Sequence, residues 1–138
     1  MKYSRGIVFG VFDGLHEGHR HFLSSAAGKC KTLVVAVAPD TTARALKGRA
    51  PKHPLKDRMA TVSSFDQHLI VTAGDEISGV WDVLEKEKPD IAILGYDQEE
   101  IARELDSRAI PYIYLPAHQP ERFKSTLMQA KPQHNDRS

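Results

Sequence analysis

Short apolar runs recur along this chain, separated by segments whose apolar residues repeat at helical spacing. This alternation of strand and helix constrains the fold more than any other feature. Strands joined through helices lie parallel, and a parallel sheet must be covered on both faces. The fold class expected is therefore α/β, a Rossmann-like three-layer fold with a parallel five-stranded sheet and helices on both faces. The strand-like runs are Gly6 to Phe12, Thr32 to Ala38, Leu69 to Thr72, Ile91 to Leu94 and Tyr112 to Leu115. Helices are expected over Gly18 to Lys29, Leu55 to Phe65, Gly79 to Lys88 and Glu99 to Arg108. In the first, Phe22, Leu23, Ala26 and Ala27 make one stripe; in the second, Leu55, Met59, Val62 and Phe65 recur at helical spacing. The third turns Val80, Val83 and Leu84 inward and stops at Pro89. Trp81, Phe65 and the methionines read as core.

A chain of 138 residues with 41% hydrophobic content makes one core. Residues 1–130 are expected to form that domain. Residues 131–138 have no apolar periodicity and read as a disordered tail. Nineteen Lys and Arg balance 18 Asp and Glu, so the net charge of +1 gives no reason to expect nucleic-acid or membrane binding. Any affinity for anions must be local. Cys30, the single cysteine, excludes an intrachain disulfide and is expected at the buried end of the first helix. The apolar run after Lys2 and Arg5 is broken by Gly10 and Asp13, too short for a signal peptide or a membrane span. The expected compartment is the cytoplasm.

Chemistry concentrates in Gly10-Val11-Phe12-Asp13-Gly14-Leu15-His16-Glu17-Gly18-His19, where the first strand turns into the first helix. The first N–H groups of a helix have no intrahelical partner and carry about half a positive charge, so they attract an anion. His16 and His19 add ring donors suited to a phosphate oxygen. Zinc ligation is a weaker account, because the helical metalloprotease pattern needs histidines four apart and Arg20 occupies that position. A merely structural pair of surface histidines is the other alternative, and His21 reads as solvent-facing or supporting. Asp13 could assist a magnesium ion or simply shape the turn.

The basic stretch from Ala43 to Pro54 follows the second strand and reads as a mobile connection. Ligands of open α/β sheets bind beyond the carboxyl ends of the strands, so it should overhang the same crevice as the histidines. Lys47 and Arg49 could neutralise phosphate charge there, or be a solvated loop.

The Gly10 to His19 segment resembles the signature of the nucleotidyltransferase superfamily, a Gly-Thr/Ser-Phe-Asp segment followed by a His-x-Gly-His box. The box is His16, Glu17, Gly18, His19. The resemblance implies that both histidines contact the phosphates of a nucleoside triphosphate and stabilise the transition state as a nucleotidyl group passes to an acceptor and pyrophosphate leaves. It also implies that Gly10, Val11, Phe12 and Gly18 line the nucleotide. Val11 stands where the family has Thr or Ser, which removes a hydroxyl and leaves both imidazoles. Lys47-Gly48-Arg49, with a proline after it and Arg58 in the next helix, is similar to the corresponding loop of small archaeal-type FMN adenylyltransferases and related cytidylyltransferases. That similarity gives Lys47 a role on the phosphates.

Gly95-Tyr96-Asp97-Gln98 is similar to the same residues of that adenylyltransferase group. Asp97 would hold a ribose hydroxyl or the acceptor, or else cap the next helix. Ser125 and Thr126 resemble a short form of the family's late Ser/Thr box, whose hydroxyls and backbone N–H groups bind nucleotide phosphates; a simple helix cap is again the alternative. The expected protein is an enzyme moving AMP or CMP from ATP or CTP to a small phosphorylated acceptor, with Mg2+ accompanying the triphosphate. FMN adenylylation to FAD is slightly favoured. A cytidylyltransferase making CDP-glycerol or a related compound and a catalytically silent nucleotide-binding domain are the alternatives. A homodimer is left open.

Overall fold

The computed structural model describes residues 2–76 and 80–116. Its five strands, β1 (Tyr3–Gly10), β2 (Cys30–Val37), β3 (Ile70–Ala73), β4 (Ile91–Leu94) and β5 (Tyr112–Tyr114), form one sheet in the order β3-β2-β1-β4-β5. Every pairing is parallel. Between the strands run α1 (Glu17–Gly28), α2 (Asp40–Lys47), α3 (Leu55–Phe65), α4 (Asp82–Glu87) and α5 (Glu99–Ser107).

Alternate residues of the central strands feed two separate cores. Val8, Val35, Val37 and Ile93 pack with Leu23 and Ala26 of α1 and Val62 of α3, while Ile7, Val34, Ala36 and Leu94 pack with Leu84 of α4 and Ala102 and Leu105 of α5. Central strands buried on both sides explain the unbroken apolar runs in the sequence. The chain winds outward from β1 through β2 to β3, then returns to β4 on the other side of β1. The carboxyl ends of β1 and β4 therefore bound the point at which the winding reverses, where open α/β sheets hold their ligands.

The structure corrects several expectations. The first strand begins at Tyr3 and ends at Gly10, because Val11 and Phe12 leave the sheet. Cys30 opens β2 instead of closing α1; it is buried, and its thiol pKa is raised chiefly by that burial. Part of the stretch expected to be a mobile connection is α2, begun after Pro39 and ended by Gly48 in the left-handed conformation (φ 79°). Val80 is exposed and precedes α4, whose first amides, Asp82 and Val83, donate to the Asp75 carboxylate. Gly79, the expected start of that helix, lies outside the described residues, as do Ser125, Thr126 and the expected tail.

Candidate active site

The turn after β1 is built around one aromatic ring. Phe12 is buried and sits at φ 51°, a region that a residue with a Cβ rarely adopts. Its ring folds back over Gly10, where an added Cβ would lie 2.7 Å from ring carbons. Glycine at position 10 therefore makes room for Phe12. The ring also makes a T-shaped contact with His19, with centroids 5.5 Å apart.

Two imidazoles cap α1. His16 occupies the N-cap, and its Nδ1 accepts from the backbone N–H of Gly18 at 3.0 Å and of His19 at 3.4 Å. His19 reciprocates, with its Nδ1 3.4 Å from the His16 N–H. This is a capping box in which histidines replace the usual Ser/Thr and Glu/Gln. The rings stack with centroids 3.8 Å apart at 23°. Because His16 Nδ1 accepts, the ring proton of neutral His16 is assigned to Nε2, a donor for an oxygen beyond the helix. His19 Nδ1 also lies 3.2 Å from the Gly14 carbonyl. Burial pushes the His19 pKa below its ordinary 6.5, and the neighbouring His16 and Lys47 push it the same way against the opposing Gly14 carbonyl. His19 is thus neutral at pH 7 and responsive to an arriving negative charge.

Asp13 joins this turn to the connection between α2 and α3. Its carboxylate accepts from the Lys52 N–H at 2.7 Å, the His53 N–H at 3.0 Å and the His53 ring at 2.9 Å. Led by the Lys52 amide, these contacts lower its pKa to about 2. Arg58, 1% exposed, clasps the same region from α3. Its guanidinium donates to the carbonyls of Val11, Ala38 and His53 and to the Asp40 carboxylate, at 2.6–2.9 Å. The arginine that sequence similarity tied to a phosphate loop thus holds together the carbonyls that end three segments. Its four contacts lie too far apart in sequence for spacing to reveal.

Lys47 is the last residue of α2, its positive charge is the smallest of the influences on the His19 pKa, and Arg49 follows Gly48 in the exposed loop. Among the described residues neither has an ion pair. On the β4 side, Gln98 is the N-cap residue of α5, and Asp97 lies exposed in the turn before it. Gln98 spans the gap between the diverging strands: its Oε1 accepts from Gly95 N–H and its Nε2 donates to the Phe9 carbonyl, both at 3.0 Å. The sequence motif contained Gln98, but its bridging role needs the β1–β4 adjacency to be known. Tyr96, 70% exposed, stands at this edge. Among the described residues no three His, Cys, Asp or Glu side chains gather as a metal-ligating group, and both Asp13 oxygens already accept backbone hydrogen bonds. Among the described residues no helix is long and apolar enough to cross a membrane.

The site thus combines a helix N-terminus and two stacked imidazoles at the reversal point of a parallel sheet, with Lys47 at the end of α2. The cytidylyltransferase-like family matches residues 7–130. A protein named FAD synthase from Pyrococcus horikoshii is 36% identical over 123 residues, covering 80% of this chain and 82% of its own length. Another of that name, from Thermoplasma volcanium, is 39% identical over 107 residues, covering 75% and 72%. The crystal structure of a lipopolysaccharide core biosynthesis protein from Thermoplasma volcanium superposes with a TM-score of 0.72 at 31% identity, covering 86% of this chain and 99% of that one. By family match, relatives and fold together, this chain belongs to the cytidylyltransferase-like family and is a nucleotidyltransferase.

Proposed function

We propose that the enzyme transfers AMP from ATP to FMN, releasing FAD and pyrophosphate. The observation that carries this is the stacked His16–His19 pair capping α1 at the sheet's reversal point. The acceptor comes from the relatives named FAD synthase.

In this mechanism the triphosphate lies against the amino end of α1. His16 donates from Nε2 to a phosphate oxygen. His19, its pKa held down by burial, gains proton affinity as the triphosphate arrives, so its ring becomes a charged donor where negative charge accumulates. Lys47 closes over the β- and γ-phosphates, and Arg49 supplements it. An FMN phosphate oxygen attacks the α-phosphorus; the bond from that phosphorus to the bridging oxygen breaks, and pyrophosphate carries the electron pair away. No protein nucleophile is required, since positioning and charge stabilisation supply the catalysis. Gly10, Val11, Phe12 and Gly18 give the nucleotide close access to backbone, and Asp97 holds a ribose hydroxyl or the acceptor. Ser125 and Thr126 add phosphate donors. Mg2+ accompanying the triphosphate would supply counter-charge to its phosphates; the described residues offer no carboxylate cage of their own for it. With its single cysteine, the enzyme acts in the cytoplasm.

The test pairs ATP or CTP and Mg2+ with FMN, glycerol 3-phosphate or a sugar phosphate while pyrophosphate is followed. ATP with FMN should give the largest kcat/KM and form FAD. Turnover only with CTP would move the protein to the cytidylyl side of the family, and no turnover with any pair would leave a nucleotide-binding domain.

A further inference from the structure

We propose that a second groove, between α2 and the 50–54 segment and opening onto the triphosphate site, guides the acceptor phosphate to the α-phosphorus, with Arg44 and Lys52 as its ligands. The inference rests on the transfer reaction above. The groove has a volume of about 340 Å3, within the ordinary range for small-molecule sites. Its walls are Asp40, Thr41 and Arg44 on one side and Ala50, Pro51, Lys52 and Pro54 on the other.

Three observations favour a phosphomonoester. Arg44 and Lys52 are exposed and have no ion pair among the described residues, so their charge is available to a ligand. The acidic residue present, Asp40, is already paired with the buried Arg58 at 2.6 Å, and the Thr41 hydroxyl donates to the Glu76 carbonyl. The groove therefore presents net positive charge. Pro51 and Pro54 supply a rigid apolar wall without N–H groups, suited to the carbon portion of an organic phosphate.

Position assigns the groove to the acceptor instead of the triphosphate. Arg44 lies one helical turn before Lys47, so both project toward neighbouring parts of one surface. Lys52 is fixed by its backbone N–H to Asp13, three residues before His16. The groove thus adjoins the triphosphate site across the Asp13 contact. An acceptor phosphate approaching the α-phosphorus is repelled by the triphosphate charge, and a second pair of cations on the approach side offsets that repulsion.

The experiment compares Arg44→Gln, Lys52→Gln and the double variant with the unaltered protein. Calorimetric titrations use FMN, riboflavin and a non-hydrolysable ATP analogue. Loss of charge-assisted hydrogen bonds should weaken FMN binding by about tenfold or more in the double variant. Riboflavin and ATP-analogue binding should hold, and in turnover KM for FMN should rise while KM for ATP stays. Equal losses for the ATP analogue would assign these cations to the triphosphate and overturn the proposal, as would unchanged FMN binding. A second arm titrates inorganic phosphate and follows the Arg44 Nε–H resonance. A shift that is weakened by Lys52→Gln supports the groove even if FMN proves not to be the acceptor. No phosphate-dependent shift at Arg44 would sink the groove whatever the acceptor.

Discussion

At the scale of single residues, His16 and His19 act as caps and as donors, and substitutions can separate the two roles. His19→Ala should lower kcat by about two to four orders of magnitude, the usual loss when a transition-state donor is removed. Thermal unfolding should change little, because His16 still caps the helix. His16→Ala should lose both roles and also cost about 1 kcal/mol of stability. His16→Asn keeps a capping oxygen but removes the outward ring donor, so it should melt near the parent while turning over as slowly as the alanine variant. An asparagine variant that stayed active would remove His16 from the chemistry. The His19 pKa predicts a pH dependence too. Below about 6.5 the unfolded chain takes up the His19 proton before the folded protein does, since burial lowers the folded value. Stability from this residue is therefore complete above that pH and declines as pH falls toward the lowered folded value. Denaturant titrations between pH 7 and 5 should show the decline in the parent and a shallower one in His19→Gln.

Among the elements, α2 and α3 set the geometry of the basic connection, and Arg58 is where they meet the β1 turn. Arg58→Met keeps most of the volume but leaves the Val11 and Ala38 carbonyls without their partner. The expected cost is about 2 to 5 kcal/mol, from orphaned buried acceptors and the loss of the Asp40 pair. A lower denaturant midpoint at unchanged slope would register it. Elements with an apolar period were legible in the sequence: α3 spans Leu55–Phe65 and β4 spans Ile91–Leu94, both as their residues indicate. The helix α2 was not, because Ala43 is its one buried residue and Thr41 and Thr42 are poor helix formers. Its Pro39 and Gly48 boundaries were visible, yet boundary signals around a polar segment describe a loop equally well. In the site, the histidine box was legible because local sequence builds it. The Arg58 clasp, the Asp13 tie to His53 and the Gln98 bridge were not, since each depends on segments that only the fold brings together.

For the whole molecule, the family match extends to residue 130 and includes Ser125 and Thr126. Replacing both by Ala should weaken ATP-analogue binding by about 1 to 3 kcal/mol beyond any loss of stability, the worth of hydrogen bonds to a charged group. Calorimetry gives the binding difference and ligand-free melting gives the capping difference; earlier melting with normal binding would make the pair a cap only. The strand order has a consequence in time. β1, β2 and β3, with α1 and α3 on their shared face, bring together a chain segment that ends at residue 73, whereas the Gln98 bridge to Phe9 closes a separation of 89 residues. Pairing so distant in sequence is slow to form, because loop closure precedes its reward. The histidine box can therefore be capped and stacked on a half-built sheet before the opposite wall of the crevice exists. A fragment ending before β4 should then carry the motif without the activity, which following pyrophosphate release from a chain truncated at that point would check.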